Sequence, residues 1–569
     1  MDGAARPHDL FKAQVVISSV GGGRVLDETT KKMHRIKDME ESNPAYKAMK
    51  TAHAERLLLL IAGLKHPLWP VTPPHNYNVL DYFWVTDVWA ELNIVDAVGP
   101  IQEDPKTIRV FCFRLEKANL QKHSWWDHNP GSYVRGDAAT TASCATCKKE
   151  SKQILQVGWT CLNHTCETFF ADSKGKKITD NAYSKAFLEE RSEFIGPIPS
   201  VKPTATVEEI NGIDHWGSEA VFRAGIVCET CGSCTSRVFW NRWSCEYCQT
   251  EVHTKMIAYP KQVVQAETNS FNQTIAKRRA KNNVTNNEIA IRLDTTAVKH
   301  SETVFGLYKV SQFLLPDPEG KVIGSVTIFR ANETIRVRGT DRMFDVLSTA
   351  DIGLRRNTVS GGAGRTQGLS RHFQQNWGAK YKFAVDVQSK GFEDAPDTIL
   401  QAVQQLKWAG TSAVPLASQF ITQMGHSAAD IPEANVNFNE CLSLGYMTDD
   451  RINYHDDGEK QCGPTVATLS LGSPATMAFR PKKKSGMNGI VSVGTRPTGV
   501  GKDFKDVLEF PLYHGDLLVM NGSLIHRYYE HKVEPSGGRR FALTCRYMDP
   551  TRMATDEERR SAVVKGTLP

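Results

Sequence analysis

The chain has 569 residues and a formal net charge of +6, and its composition, 40% hydrophobic and 23% charged, is that of a folded globular protein. This excludes a fibre and a wholly disordered chain, and the length predicts two to four domains because one hydrophobic core does not grow that large. The start, MDGAARPHDLFKAQ, lacks a secretory-signal pattern, and the apolar run LLLLIAGL at 57–64 is too short to span a bilayer. We therefore expect an intracellular protein without membrane contact.

Residues 1–135 predict a helical and irregular region whose role the sequence does not indicate. The polar stretch DETTKKMHRIKDMEESNPAYKAMKTAHAERLLLLIAGL has a weak apolar periodicity, which favours one or two surface helices. The aromatic- and proline-rich stretch from 66 to about 130 is typical of irregular packed structure.

Nine of the thirteen cysteines lie between 144 and 248, in paired arrangements that indicate metal sites rather than disulfides in a reducing compartment. Two closed four-sulfur zinc sites are predicted, and both would be structural because no ligand position is left open. The module at 136–195 would use Cys144, Cys147, Cys161 and Cys166, with His164 as a competitor for the last position. The ribbon at 215–260 would use Cys228, Cys231, Cys245 and Cys248, with Cys234 as an additional thiol. Such modules bind nucleic acid or protein partners, or are only scaffold.

A proline-containing linker, GPIPSVKPTATVEE at 196–209, separates the two modules, and a basic segment, TIAKRRAKNN at 274–283, follows the second. The basic segment suits a nuclear-import signal, a nucleic-acid contact or simply a solvated helix face. With the reducing compartment, it leads us to expect a nuclear location.

From residue 286 the pattern changes to strands and turns, which predicts a strand-rich connecting region at 286–340. Its strands would be EIAIRL, TVFGLYKVSQFLL, VIGSVTIFR and TIRVRG. A helix is predicted for APDTILQAVQQLKWAG at 395–410, ending at Gly410. The strands VATLSLG, ATMAFR, VLEFPL, DLLVMNG and RFALTCRYM then predict a double-sheet jelly roll. The fold class expected is α+β and multi-domain, with a C-terminal double-stranded β-helix at 341–552 and a tail at 553–569.

The segment INYHDDGEK, at 452–460, concentrates metal-ligand chemistry in a few positions. His455 and Asp457 form an H-x-D pattern, and residues two apart on a strand project to the same side. A second histidine would complete the 2-His-1-carboxylate set that holds Fe(II). The sequence about seventy residues later offers His514, His526 and His531 for that position.

From about 340 to 549 the sequence resembles the AlkB family of Fe(II)/2-oxoglutarate-dependent dioxygenases. The spaced motifs that carry the resemblance are H-x-D at 455–457, GDLLVMNG at 515–522, His531 with Pro535, and Arg540 with Arg546. The resemblance implies that His455, Asp457 and His531 bind iron, while Asp456, His514 and His526 do not. It also implies that Tyr446, Arg540 and Arg546 contact 2-oxoglutarate, with Arg540 on its distal carboxylate and Arg546 near the iron-side carboxylate. The family's asparagine before the tyrosine is Leu444 here.

The resemblance extends partly to the substrate side. SRHFQQNWGAKYKF at 370–383 resembles a stretch that precedes the core in family members acting on methylated bases. The residues it implies for substrate binding are Arg371, Trp377, Tyr381, Phe383 and, after the iron motif, Glu459. Such aromatic residues are equally often core, and the KKK run in the loop at 480–506 is either a phosphate contact or solvated.

The implied function is oxidative demethylation of N-methylated bases in single-stranded or flipped-out DNA or RNA, as in DNA repair, releasing formaldehyde, succinate and CO2. Fe(II), 2-oxoglutarate and structural Zn(II) are the expected cofactors. One alternative keeps the dioxygenase but gives it a protein substrate, with the ribbons as protein-binding modules. A second, a non-catalytic nucleic-acid-binding protein, predicts a broken triad, and the intact residues argue against it.

Overall fold

The computed structural model divides the chain into two compact units. One comprises Met1–Thr204, Ile226–Thr235 and Cys245–Thr250, and the other Ala205–Gly225, Ser236–Ser244 and Glu251–Pro569. The structure describes residues 8–12, 14–19, 24–26, 33–35, 37–63, 78–94, 107–120, 124, 126–127, 136–179, 182–197, 215–228, 230, 233–282, 289–359, 368–381, 388–425, 432–487, 493–495 and 502–569. Within these ranges, no helix is both long and apolar enough to cross a membrane.

The first unit is built largely from strands. Its elements are β1 Leu10–Phe11, β2 Val15–Ser19, β3 Arg24–Leu26, β4 Met33–Arg35, α1 Pro44–Glu55, β5 Leu58–Gly63, β6 Asn78–Ile94, β7 Thr107–Lys117, β8 Thr141–Ser143, β9 Glu150–Lys152, α2 Lys185–Glu189, β10 Ile226–Val227 and β11 Cys234–Thr235. Five of them form an antiparallel sheet in the order β1-β2-β7-β6-β5.

This sheet corrects the expectation of a helical and irregular region at 1–135. The helix α1 falls in the predicted polar stretch, but β6 and β7 occupy the aromatic region that was expected to be irregular. The aromatic side chains read as irregular packing include core residues of the sheet, such as Phe83 and Trp89 on β6. The acidic residue Asp81 on the same strand is also paired inside the unit, since its Oδ2 lies 3.1 Å from Lys117 Nζ.

The second unit holds the remaining elements. They are β12 Arg242–Ser244, β13 Glu251–His253, α3 Lys261–Lys281, β14 Arg292–Leu293, β15 Lys299–Phe305, β16 Tyr308–Pro316, β17 Val322–Arg330, α4 Glu333–Ile335, α5 Asp341–Thr349, β18 Thr358–Val359, β19 Gly368–Leu369, β20 Phe373–Gly378, β21 Ser389–Lys390, α6 Asp397–Gln423, β22 Glu440–Met447, β23 Ile452–His455, β24 Cys462–Gly472, β25 Ala475–Pro481, β26 Val493–Thr495, β27 Lys502–Phe504, β28 Leu508–Leu512, β29 Leu517–Asn521, α7 Ile525–Tyr528, β30 Tyr529–Pro535, β31 Arg539–Met548 and α8 Asp556–Gly566. The large sheet has the order β15-β16-β17-β29-β24-β31-β22-β20-β21, and the smaller one β14-β28-β25-β30-β23.

The strands at the centre of both sheets coincide with the predicted strands from VATLSLG onward. The segment at 286–340 is more than a connection, because β17 pairs with β29 and so continues the large sheet. The boundary expected at 341 therefore cuts through one sheet. The ribbon expected at 215–260 is divided as well, since its cysteine-bearing segments group with the first unit and the rest with the second.

Two local expectations fail for identifiable reasons. TIRVRG, predicted as a strand, is helical, because the Asn332 side chain caps α4 by accepting the N–H of Ile335 at 3.0 Å. The helix predicted to end at Gly410 runs on as α6 to Gln423. Gly410 is there for close packing rather than as a stop signal, since a Cβ at this position would lie 2.6 Å from Val436 Cγ1.

Candidate active site

One cavity of about 410 Å³ receives side chains from both sheets of the second unit. Side chains two apart on a strand point to the same face, so each strand contributes alternate residues. The large sheet contributes Leu442, Leu444 and Tyr446 from β22, Val466 and Thr468 from β24, Leu518 and Met520 from β29, and Arg540, Ala542, Thr544 and Arg546 from β31. The small sheet contributes Ile452, Asn453, His455, Met477, Leu512, His531 and Val533.

The predicted iron ligands meet in this cavity. His455 ends β23 and lies opposite His531 on β30 in the strand register. One ligand atom from each of His455, Asp457 and His531 lies within 4.8 Å of the other two. Two imidazoles and one carboxylate on one side of a site are the donor set that Fe(II) oxygenases use, with the opposite positions open for a cosubstrate and O2. The three side chains fit an iron ion.

Hydrogen bonds orient two of these ligands. His455 Nδ1 lies 2.9 Å from the carbonyl oxygen of Asn453, and a proton on Nδ1 would place the lone pair on Nε2, on the metal side. The backbone N–H of Asp457 donates to His526 Nδ1 at 3.3 Å. His526 is buried, and this burial lowers its pKa. No role was predicted for His526, because only the fold brings α7 beside the segment that carries His455 and Asp457.

An ion pair also stabilises the segment that carries His455 and Asp457. Lys482 Nζ lies 2.7 Å from Asp456 Oδ2 and also donates to the carbonyl oxygen of His526. Lys482 belongs to the KKK run in which the sequence indicated either a phosphate contact or a solvated loop. The structure gives this lysine an intramolecular partner instead, while residues 488–492 and 496–501 of the loop lie outside the described part of the chain.

The carboxylate of Asp457 is held asymmetrically. Its Oδ1 accepts hydrogen bonds from Tyr381 Oη at 2.9 Å and from Arg546 Nη2 at 2.7 Å, while its Oδ2 lies 3.8 Å from His531 Nε2. Burial alone would raise the pKa of Asp457, but Arg546 and the neighbouring histidines hold it well below its usual range. The residue is therefore ionised and presents Oδ2 on the side of the histidines.

Arg540 is the candidate contact for 2-oxoglutarate. It is 1% exposed, and its Nη2 donates to Ser470 Oγ at 2.9 Å. Its Nε and Nη1 are buried without a hydrogen-bond partner in the described structure. A buried guanidinium with unsatisfied donors, in a residue that lines the cavity, suits the charge-assisted hydrogen bonds of a carboxylate. Tyr446 lies directly across from Arg540 in the β22–β31 register and lines the same cavity. These residues fit the cosubstrate.

The implied substrate residues separate into several groups. Arg371 is exposed at the cavity and donates to the carbonyl oxygen of Asp449 at 3.2 Å. Tyr381 lines the cavity, but its hydroxyl is engaged by Asp457. Glu459 lies outside the described lining of the cavity, and burial raises its pKa to about 7. Phe383 lies outside the described residues.

Trp377 requires a correction. It is 1% exposed, packs in the hydrophobic core, and its Nε1–H donates to Ser443 Oγ at 3.1 Å. It is also absent from the described lining of the cavity. The expected contact of Trp377 with a substrate is therefore wrong, because on β20 its side chain points away from the cavity that Gln374 reaches.

The first cysteine cluster fits a zinc ion. Cys144, Cys147, Cys161 and Cys166 place their sulfur atoms within 4.8 Å of one another. The Sγ atoms of Cys144 and Cys166 lie 3.8 Å apart, and those of Cys147 and Cys161 lie 3.7 Å apart. Tetrahedral zinc with Zn–S bonds of about 2.3 Å requires sulfur separations of about 3.8 Å. His164, the competitor, instead contacts Glu41 Oε1 at 3.2 Å.

The second cluster brings together three sulfur atoms in the described structure. Cys228, Cys245 and Cys248 lie within 4.8 Å of one another, and the Sγ atoms of Cys228 and Cys248 are 3.5 Å apart. Cys231, the expected fourth ligand, lies outside the described residues. Cys234 is exposed on β11 and does not belong to this group. The three thiols can hold zinc once a fourth ligand is added.

A match to a family model agrees with this geometry. Residues 347–553 match the family described as the 2OG-Fe(II) oxygenase superfamily, and the match encloses all three candidate iron ligands. Among solved structures, the chain is similar to "Oxidoreductase, 2OG-Fe(II) oxygenase family, from Burkholderia pseudomallei", with 12% identity, a TM-score of 0.21, and coverage of 39% of this chain and 84% of that one. None of the curated proteins matches the chain.

The site and the family match together define the class of the protein as an Fe(II)/2-oxoglutarate-dependent oxygenase. The family match spans residues 347–553, and the cofactors are Fe(II) and 2-oxoglutarate.

Proposed function

We propose that the protein is an AlkB-type dioxygenase with a double-stranded β-helix core, which removes N-methyl groups from bases of DNA or RNA. The observation that carries this proposal is the charge of the cavity. Among the described residues that line it, four are arginines, Arg371, Arg451, Arg540 and Arg546, and one, Asp457, is a carboxylate. A site with this balance favours an anionic substrate in addition to an anionic cosubstrate.

The four arginines divide by burial. Arg540 and Arg546 are buried inside the cavity, whereas Arg371 and Arg451 are exposed at its lining. Exposed guanidinium groups at the entrance suit the phosphates that flank a base, since phosphate contacts fix the register of a nucleic acid without reading its sequence. A polynucleotide supplies such phosphates on both sides of the base that enters.

When bound, Fe(II) and 2-oxoglutarate activate O2, so that one oxygen atom appears in succinate as CO2 leaves and the other appears on the N-methyl carbon, which departs as formaldehyde. The chain supplies the geometry for this chemistry. His455, Asp457 and His531 would hold the metal, and Arg540 and Tyr446 would orient the cosubstrate. Apolar side chains such as Leu444 line the cavity and limit its water content.

The ring of His372 is the best placed to contact a flipped base. It lines the cavity, and its centroid lies 6.0 Å from that of Tyr446. Burial lowers the pKa of His372 to about 4, so the ring is neutral at physiological pH. A neutral aromatic face suits stacking on a base that has left its duplex or single strand. We therefore assign to His372 the contact with the base that the resemblance implied for Trp377.

The test is release of succinate and formaldehyde by zinc-replete protein supplied with Fe(II), 2-oxoglutarate and methylated DNA or RNA oligonucleotides. We expect formaldehyde in step with succinate, and weaker oligonucleotide binding by Arg371→Ala and Arg451→Ala. Each variant should also reduce the slope of log affinity against log salt concentration by about one, as expected for the loss of one phosphate contact. Arg559→Ala, which removes an exposed arginine paired with Asp556, is the matched control.

Two outcomes would count against the proposal. One is succinate formation that no methylated oligonucleotide stimulates, which would direct the search toward a protein substrate. The other is an oligonucleotide affinity that falls equally in Arg559→Ala and in the cavity variants, which would mean that general surface charge, not the cavity entrance, governs binding.

A further inference from the structure

A buried acidic residue that is not one of the candidate metal ligands lies beside the iron site. Glu440 begins β22, is 0% exposed, and is the cross-strand neighbour of Arg546 on β31. Its Oε2 lies 3.3 Å from Arg546 Nη1, and its Oε1 has no hydrogen-bond partner in the described structure. Glu440 is absent from the described cavity lining, so it has no direct route to a ligand there.

Arg546 connects this carboxylate to the metal ligand. Its two terminal nitrogens point in different directions, with Nη1 toward Glu440 and Nη2 toward Asp457 Oδ1, the latter at 2.7 Å. Its Nε is buried without a partner in the described structure. The guanidinium is therefore held by the two carboxyl groups, one at each end of the fork, and by the ring of Tyr381, whose centroid lies 4.1 Å from Arg546 Cζ.

We propose that Glu440 is a positioning residue of the iron site, which anchors Arg546 so that Arg546 keeps Oδ1 of Asp457 occupied and Oδ2 turned toward His531. The distances are consistent with this role. Oδ1 receives the hydrogen bonds of Arg546 and Tyr381, while Oδ2 lies 3.8 Å from His531 Nε2. One oxygen of the ligand is thus immobilised, and the other is presented to the metal position.

The energetics argue for such a role. A buried arginine–carboxyl pair stabilises a fold little, and an apolar pair of similar volume often stabilises it as well or better. Leaving Oε1 without a partner makes the pair less favourable still. An interaction that contributes so little to folding is better explained by what it does for its neighbour, and partners behind metal ligands characteristically fix the ligand's orientation.

The test measures metal binding rather than turnover. Protein with its cysteine sites loaded with zinc is titrated anaerobically with Fe(II) at saturating 2-oxoglutarate, and the visible charge-transfer band of Fe(II) chelated by a 2-oxo acid reports occupancy. Glu440→Leu keeps the volume and removes the anchor, so the Kd for Fe(II) should rise about 10- to 100-fold. Glu440→Gln still accepts the Nη1–H, so its Kd should rise about 3- to 10-fold.

The matched control is Glu509→Gln. Glu509 is 2% exposed and pairs with Arg278, so this variant also removes a buried charge from an arginine pair. Its thermal midpoint should move as much as that of Glu440→Gln, but its Kd for Fe(II) should stay within about twofold of wild type. A wild-type Kd in Glu440→Leu and Glu440→Gln would overturn the proposal. If Glu440→Leu does not fold, the Kd of Glu440→Gln for Fe(II) decides alone, and a wild-type value would overturn the proposal.

A second arm tests the route of action. In an Arg546→Gln background, the further change Glu440→Gln should alter the Kd for Fe(II) by less than about twofold, because the residue that it anchors is gone. If Glu440→Gln instead raises the Kd for Fe(II) in this background as much as it does in the wild type, Glu440 acts by another route and the proposal is refuted. The measurements contain no nucleic acid, so their outcome is independent of the substrate proposed above.

Discussion

Replacing Arg540 by methionine should have opposite effects on the protein without and with its cosubstrate. Arg540 Nε and Nη1 are buried and lack partners in the described structure. Each unsatisfied buried donor costs about 1–3 kcal/mol, so Arg540→Met should leave the free energy of unfolding without 2-oxoglutarate unchanged or raise it by up to about 3 kcal/mol. The same change removes the cation that we expect to bind the distal carboxylate.

The size of the binding loss follows from the two donors. A hydrogen bond to a charged group contributes about 1.5–3 kcal/mol, so two contribute about 3–6 kcal/mol. At about 1.4 kcal/mol per factor of ten, the Kd for 2-oxoglutarate should rise about 10²- to 10⁴-fold. Arg540→Lys keeps the charge but not the fork, so its Kd should rise about 10- to 100-fold. Ser470→Ala, which removes only the partner of Nη2, should have a smaller effect.

The assay is thermal and chemical unfolding with and without 2-oxoglutarate, with Mn(II) in place of iron to prevent turnover. A ligand at 100 times its Kd stabilises the wild type by about 2.7 kcal/mol, and this increment should vanish in Arg540→Met at the same concentration. An unchanged increment in Arg540→Met, with Mn(II) binding intact, would refute the assignment of Arg540. Destabilisation of the cosubstrate-free variant by several kcal/mol would refute the reasoning from its unsatisfied donors.

Three further predictions concern the core, the zinc sites and pH. Trp377→Leu should lower the free energy of unfolding by roughly 3 kcal/mol while leaving oligonucleotide affinity unchanged, because the ring lies in the core; lost binding at full stability would contradict this placement. Metal analysis should find two zinc ions per chain, one at each cysteine cluster, and Cys144→Ser should reduce this content to one; a zinc-free protein that folds normally would exclude both sites. The hydrogen bond with His514 lowers the pKa of Asp341 to about 2, below its unfolded value, so its contribution is present at neutral pH and is lost as the pH falls from about 4 to about 2. Denaturant unfolding should therefore separate Asp341→Asn from wild type at pH 7 and bring the two together near pH 2, whereas an equal gap at both pH values would contradict the sign.

The sequence was informative where spacing alone carries geometry. His455 and Asp457 are two residues apart at a strand end, and the alternation of residues in β31 fixes which side chains face the cavity. These features are local, so they could be predicted before the fold was known. The resemblance to the AlkB family then implied His531 as the distal histidine, and the structure places His531 opposite His455.

The rest depends on contacts between distant segments, which spacing does not encode. His526 meets Asp457 through α7, and Glu440 meets Arg546 through the register of β22 and β31. Trp377 resembled a substrate residue because an aromatic side chain in a matching motif looks the same whether it faces a cavity or the core. The long strand β6 was missed because its aromatic residues and the prolines nearby were interpreted as irregular structure, although Phe83 and Trp89 of this strand lie in the core.

The central claim is that the three clustered ligands form the iron site of a 2-oxoglutarate-dependent oxygenase. The most direct test is anaerobic titration of zinc-loaded protein with Fe(II) and 2-oxoglutarate, followed by admission of O2 and measurement of succinate. The wild type and the control His514→Ala, whose ring contacts Asp341 and the Gly472 N–H instead, should give the charge-transfer band and succinate, and Asp457→Ala should give neither. Equal succinate from Asp457→Ala and wild type, or an undiminished band in the variant, would contradict the account.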